Sequence, residues 1–183
     1  AGGCDEYCTE FLRVPDRGET SPKLVAGIAA KYDPRELGDA GALAVQFMGA
    51  TPERLEAVVR QLVAQAPPGG LPARVDLNCG CPANTVTGKG AGSSLLRTPE
   101  LLGECVRAMR RGAGGQVPVT VKMRSGYDSP ALFEDNLLAA EEAGAEMISV
   151  HPRTKAQGYR GRADWERIAQ AKRTVRVPVV GNG

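Results

Sequence analysis

Short runs with strand character recur along the chain: CTEFLRV (8–14), LAVQFMG (43–49), RVDLNC (74–79), VPVTVKM (117–123), EMISVH (146–151) and VRVPVV (175–180), six in all. Between most of them the apolar spacing becomes helical. In TPERLEAVVRQLVAQA (51–66), Leu55, Val58, Val59, Leu62 and Val63 fall on one face. Thr51-Pro52 opens that helix as N-cap and first-turn residues, and the signal recurs at Thr98-Pro99 and Ser129-Pro130. Gly144 closes a helix running through Phe133, Leu137 and Ala140. Strand and helix alternating at intervals of roughly 30–40 residues, with strands apolar on both faces, predict parallel β/α units. A doubly wound sheet and a (β/α) barrel both satisfy the pattern. No domain boundary is visible: APPGGLP (66–72) reads as an αβ loop, and Asp16 to Pro34 as a longer polar connection.

With 183 residues, 42% hydrophobic and 24% charged, the chain can bury a substantial core. No apolar run approaches the length that crosses a bilayer, and AGGCDEYC at the start lacks the basic-then-apolar pattern of a secretory signal. A cytoplasmic protein with no membrane partner is the expectation. Five unevenly spaced cysteines favour reduced thiols over a disulfide framework. The net charge of +2 announces no nucleic-acid binder by itself, so any RNA contact must come from a local patch.

In β/α architectures function gathers where the strands end. Asn78, Cys79 and Cys81 close the third run, Lys122 and Arg124 the fourth, His151 and Arg153 the fifth, and Asn182 with Gly183 the sixth, all on one rim. Gln46, inside a strand between Val45 and Phe47, needs buried partners for its amide. Cys79 continues its strand and reads as core filler, whereas Gly80 and Pro82 turn Cys81 into the loop space. Zinc held by Cys4, Cys8, Cys79 and Cys81 would have the right ligand count with poor spacing, and no metal is expected. Lys122 either snorkels to the rim or pairs with a neighbouring carboxylate such as Asp76 or Glu146. Lone His151 could equally be a hydrogen-bonded core residue. TGKGAGSS (87–94) is neither a P-loop nor a dinucleotide fingerprint and reads as a flexible loop able to close over the rim. RTKAQGYRGR (153–162) carries Arg153, Lys155, Arg160 and Arg162 around Tyr159, with no acidic residue. Such a segment is either a solvated face or a grip for a phosphate backbone and a stacked base.

These residues together resemble the tRNA-dihydrouridine synthase family. DLNCGCP (76–82), followed by GKGAGSSLL, looks like its central motif; VTVKMRSG (119–126), HPRTKAQGY (151–159) and VPVVGNG (177–183) resemble the next three blocks in order. Tyr159 and TEFLRV look most like the bacterial subfamily acting on D-loop position 16. The resemblance implies a TIM (β/α)8 barrel, here with about six of eight strands, that uses FMN and NADPH to reduce a uridine C5–C6 bond in tRNA. Carried over by motif, Cys81 is the general acid that protonates C5. Gln46, Lys122 and His151 contact FMN, and Asn182 with Gly183 begins its phosphate turn. Asn78, Arg124, Arg153 and Tyr159 form the substrate side.

The chemistry agrees with those roles. A thiol, with an ordinary pKa of about 8.5, stays protonated near neutrality and can donate where a carboxylic acid would be ionised. A lysine supplies positive charge against a reduced flavin, and an asparagine offers both donor and acceptor to a uracil edge. Pro152 stands where the family usually has glycine, which removes an N–H beside the flavin. The family's first strand, last strand and helical tRNA-binding domain have no counterpart here, so this chain alone is expected to be inactive, and a monomer is the expectation. Alternative readings are an FMN barrel acting on a free pyrimidine such as dihydroorotate, a non-catalytic RNA-binding barrel, and a phosphate-binding barrel without flavin.

Overall fold

The computed structural model describes residues 6–17, 42–83 and 90–183. Its strands are β1 (Glu6–Cys8), β2 (Leu12–Arg13), β3 (Ala42–Met48), β4 (Arg74–Cys79), β5 (Val119–Arg124), β6 (Ile148–His151) and β7 (Val179–Gly181). Four α-helices alternate with them: α1 (Pro52–Gln65), α2 (Pro99–Ala113), α3 (Phe133–Glu142) and α4 (Glu166–Thr174), with a 3-10 turn at Gly92–Arg97. The strands lie side by side in chain order and every pairing is parallel, with β1 and β2 both on β3. This six-position parallel arc with alternating helices fits part of a TIM barrel, as expected.

The period-two alternation of each strand assigns its faces. Val45, Phe47, Val75, Leu77, Cys79, Val121, Met123, Ile148 and Val150 join the buried faces of the helices in one core. The opposite face is polar. Arg74, Asp76 and Asn78 on β4 stand beside Thr120 and Lys122 on β5, as the barrel interior of a parallel sheet would present them.

Three expectations change on folding. The predicted single strand over 8–14 is split: Cys8 pairs with Ala44 but Leu12 with Phe47, so four steps on one side oppose three on the other. That extra residue is a bulge. Within it the Thr9 hydroxyl accepts the ladder N–H of Gln46 at 3.1 Å, and Phe11 is left 43% exposed. Second, Thr51 and Thr98 occupy the N-cap positions of α1 and α2, with proline following as predicted, but neither side chain makes a cap bond. Third, Ser129-Pro130 lies upstream of α3 rather than at its start: the N-cap is Leu132, while the Ser129 hydroxyl accepts from Ala131 N–H at 3.4 Å. Cys4, most of the 16–34 connection, and residues 87–89 of the glycine-rich loop lie outside the described residues.

Candidate active site

A cavity of about 520 Å³ opens at the C-terminal ends of β4 to β7. Every predicted site residue except Gln46 lines it, and Phe11, Gly80 and Pro82 complete the described lining. Three cations, Lys122, Arg124 and Arg153, face this space, and no carboxylate does among the described residues that line it. The site therefore favours an anionic occupant.

The strand β4 ends in a turn built by Asn78. Its Oδ1 accepts the backbone N–H groups of Gly80 at 3.0 Å and Cys81 at 2.9 Å, and the Cys81 carbonyl accepts Ser93 N–H at 3.1 Å. Cys81 is thus held at both ends of its backbone. Its side chain rests on Met48 and Ala91 while bordering the cavity. Cys79, by contrast, is fully buried against the helices, and burial pushes its thiol well up from the ordinary range. It is core filler, as its position in the strand predicts. The described residues contain no group of His, Cys, Asp and Glu able to hold a metal ion.

Gln46 lies beneath the cavity floor. Its Nε2 donates to Asp76 Oδ2 at 2.8 Å, and its Oε1 accepts from Asn78 Nδ2 at 2.7 Å. Asp76 Oδ1 accepts from Thr120 Oγ1 at 2.5 Å and from Arg74 Nη1 at 3.2 Å. Arg74 is shared with Glu6 on β1. Burial pushes the Asp76 carboxyl up, opposed by bonds from Thr120 and Gln46 and by the charge of Arg74.

Lys122 pairs with neither carboxylate that the sequence suggests. Its Nζ donates to Asn182 Oδ1 at 3.1 Å, and Glu146 lies 3.8 Å from Arg110 instead. Desolvation pulls the Lys122 pKa down, partly offset by the negative charge of Asp76. Arg124 is a staple between loops: Nε donates to Gly80 O at 2.9 Å, and Nη1 to Thr154 O at 3.1 Å and Gly158 O at 2.9 Å. It also shares a side-chain hydrogen bond with Tyr159, so most of its donors are engaged within the protein. The exposed ring of Tyr159 stands 5.4 Å from the Arg124 guanidinium and 6.0 Å from the ring of His151.

His151 Nε2 lies 3.3 Å from Arg153 Nη1. A guanidinium only donates, so Nε2 accepts and the ring is neutral with its proton on Nδ1. Desolvation first, then the charges of Arg124, Lys122 and Arg153, lower its pKa from 6.5 to about 4. Gly183 closes the site. A side chain there would meet Pro152 Cδ at 3.1 Å and His151 Cδ2 at 3.3 Å, so the glycine lets the chain pass tightly under the imidazole. Buried Pro152 is part of that contact.

Sequence reading missed Asp76 as a site residue and missed Phe11 altogether. The signal for Asp76 was available: a carboxylate inside an apolar strand, two residues before Asn78 and hence on its face. Phe11 lies in the bulged segment between Cys8 and Leu12 and borders the cavity.

A parallel β/α arc whose strand ends surround a cationic cavity bearing a thiol, an amide and a lysine defines the class: a (β/α)-barrel with its site at the C-terminal rim. Residues 8–183 match the family described as Dihydrouridine synthase (Dus), and the chain belongs to that family. Among curated relatives, the tRNA-dihydrouridine(16) synthase of Aquipseudomonas alcaligenes is 39% identical over 190 residues, covering 100% of this chain and 56% of that protein. That of Escherichia coli O157:H7 is 37% identical over 181 residues, covering 98% and 55%. That of Pseudomonas syringae pv. tomato is 40% identical over 183 residues, covering 100% and 56%. The chain spans about half the length of the curated relatives it matches. No helix among the described residues is long and apolar enough to cross a membrane.

Proposed function

We propose that this site reduces the C5–C6 double bond of a uridine in tRNA to 5,6-dihydrouridine, at D-loop position 16, the position in the names of the relatives. The observation that carries the reading is the convergence of Cys81, Asn78, Lys122, His151 and Asn182 on one cavity with no carboxylate among its described lining residues, in a chain of the dihydrouridine synthase family.

The cavity suits FMN: its described lining is cationic, a neutral imidazole and a backbone turn at Asn182-Gly183 border it, and its volume of about 520 Å³ lies in the range of cofactor sites. Lys122, His151, Asn182 and Gly183 would hold the flavin, with Gln46 supporting the floor through Asn78. When bound, FMN would supply hydride chemistry at C6, with NADPH as the reductant. Cys81 gives its S–H proton to C5, and the thiolate left behind is reprotonated from solvent. Asn78 and Arg124 orient the uracil, while exposed Tyr159, hydrogen-bonded to Arg124, offers a stacking face to a base taken out of its stack. Lys122 supplies positive charge where negative charge develops.

The test is made on the gene-encoded protein, whatever sequence flanks these residues. Purified protein should show flavin absorbance in the visible, and with NADPH it should form dihydrouridine in unmodified tRNA. Free uridine and orotate should not react. Turnover of the free pyrimidines without turnover of tRNA would assign the site to a small-molecule oxidoreductase. Binding of tRNA with no flavin would reduce it to an RNA-binding barrel.

A further inference from the structure

Three side chains on two strands and two backbone N–H groups of a turn form one directed chain: Asp76 Oδ2 accepts from Gln46 Nε2 (2.8 Å), Gln46 Oε1 accepts from Asn78 Nδ2 (2.7 Å), and Asn78 Oδ1 accepts from Gly80 N and Cys81 N (3.0 and 2.9 Å). Its two ends are fixed independently. At one end backbone N–H groups can only donate, so the Asn78 atom facing them must be oxygen. Its NH2 then faces Gln46, whose facing atom must be oxygen in turn, and the NH2 of Gln46 is left toward Asp76. At the other end Asp76 is paired with Arg74 and accepts at both oxygens, from Gln46 on one and from Thr120 and Arg74 on the other, so it offers no donor. Each amide could be turned over by itself, but no single turn leaves the others satisfied. Asp76, Gln46 and Asn78 are 2%, 7% and 7% exposed, so water cannot replace a lost link cheaply.

We infer that Asp76 is a positioning residue for Cys81: by accepting only, it enforces from the far end the amide direction that the Gly80 and Cys81 N–H groups require, and so helps hold the Gly80-Cys81 backbone where the thiol borders the cavity. The carboxylate is itself anchored on its far oxygen by Thr120 and by Arg74, which links it across to Glu6 on β1. Were both amides reversed, the NH2 of Asn78 would meet two N–H donors and release the turn. Asp76 does not line the cavity and touches no reacting atom. Its effect on turnover rests on the dihydrouridine synthase reading; its effect on the turn does not.

Asp76→Asn keeps the shape and removes the acceptor-only constraint. In the full-length holoenzyme, hydrogen exchange at the Gly80 and Cys81 amides should accelerate by about tenfold or more, with the β4–β5 ladder amides unchanged. kcat for tRNA should fall by about tenfold or more while KM stays near wild type. Gln46→Leu, which cuts the same chain one link further on, should produce the same local exchange, and the double variant should be no worse than Gln46→Leu alone. Thr120→Val removes a partner of Asp76 without altering its acceptor-only character and should leave the Gly80 and Cys81 amides protected. Unchanged protection in Asp76→Asn, acceleration spread over the whole sheet, or additive losses in the double variant would overturn the inference. If Asp76→Asn does not fold, Gln46→Leu decides by the same exchange readout. Retained turnover in Cys81→Ala would defeat the functional reading and leave the exchange result standing.

Discussion

Lys122 Nζ on β5 donates to Asn182 Oδ1 beyond the end of β7 at 3.1 Å, spanning the intervening strand β6. The partner is a neutral amide. Among the described residues no carboxylate lies within ion-pair distance of the amine, so its charge is held over the cavity rather than spent on a structural pair.

Lys122→Met should therefore weaken FMN binding by about tenfold or more, the loss expected when a hydrogen bond to a charged group is removed. The fold should not suffer. Desolvation already lowers the Lys122 pKa, which means the folded state disfavours its charge, and removing that charge should leave the melting temperature of the flavin-free protein unchanged or higher. Flavin titration and thermal melts on one preparation check both halves, and a stability loss without weaker flavin binding would place Lys122 among structural groups.

The sole histidine of the chain makes the next expectation simple to read. His151 should titrate by NMR with a midpoint of about 4 instead of 6.5. The sign is fixed by linkage: between these values the unfolded chain binds more protons than the folded one, so stability rises with pH across that window. The contribution present above about pH 6.5 is lost as pH falls toward the folded midpoint. A midpoint at or above the ordinary value would mean that burial and the neighbouring cations do not govern the ring.

Cys79 and Cys81 should separate cleanly. Cys79→Ala opens space in a fully buried core and should cost about 1 kcal/mol of stability while preserving turnover. Cys81→Ala should abolish dihydrouridine formation with melting close to wild type, since that side chain is only partly buried. In the native protein iodoacetamide should spare Cys79, whose buried thiol resists ionisation. Mass mapping of the alkylated residues reads this directly.

Gly112 tests the scaffold away from the site. A Cβ there would stand 2.4 Å from the Glu56 carbonyl oxygen and 3.0 Å from Val59 Cβ, where α2 crosses α1. Gly112→Ala should cost roughly 1–3 kcal/mol by forcing the helices apart, or roughly 3–10 °C in melting temperature. Calorimetry measures it, and an unchanged melt would show that the crossing can relax.

Local order in the sequence was enough to determine the parallel β/α alternation, the buried face of α1, and the gathering of Asn78, Cys81, Lys122, Arg124 and His151 at strand ends, because strand and helix periods are written in neighbouring residues. Period two even put Asp76 on the face of Asn78. Which partners meet across strands was decided only by the tertiary fold. Gln46 reaches Asp76 and Asn78 over separations of 30 and 32 residues, and a lysine expected to seek a carboxylate finds Asn182 60 residues away. Three of the N–H donors of Arg124 serve carbonyls of two loops that sequence alone does not bring together. The bulge that breaks the first strand, where Phe11 lies, depends on its register against β3. Register is a property of two segments at once, set by the burial each gains from the other, and no period within one segment encodes it.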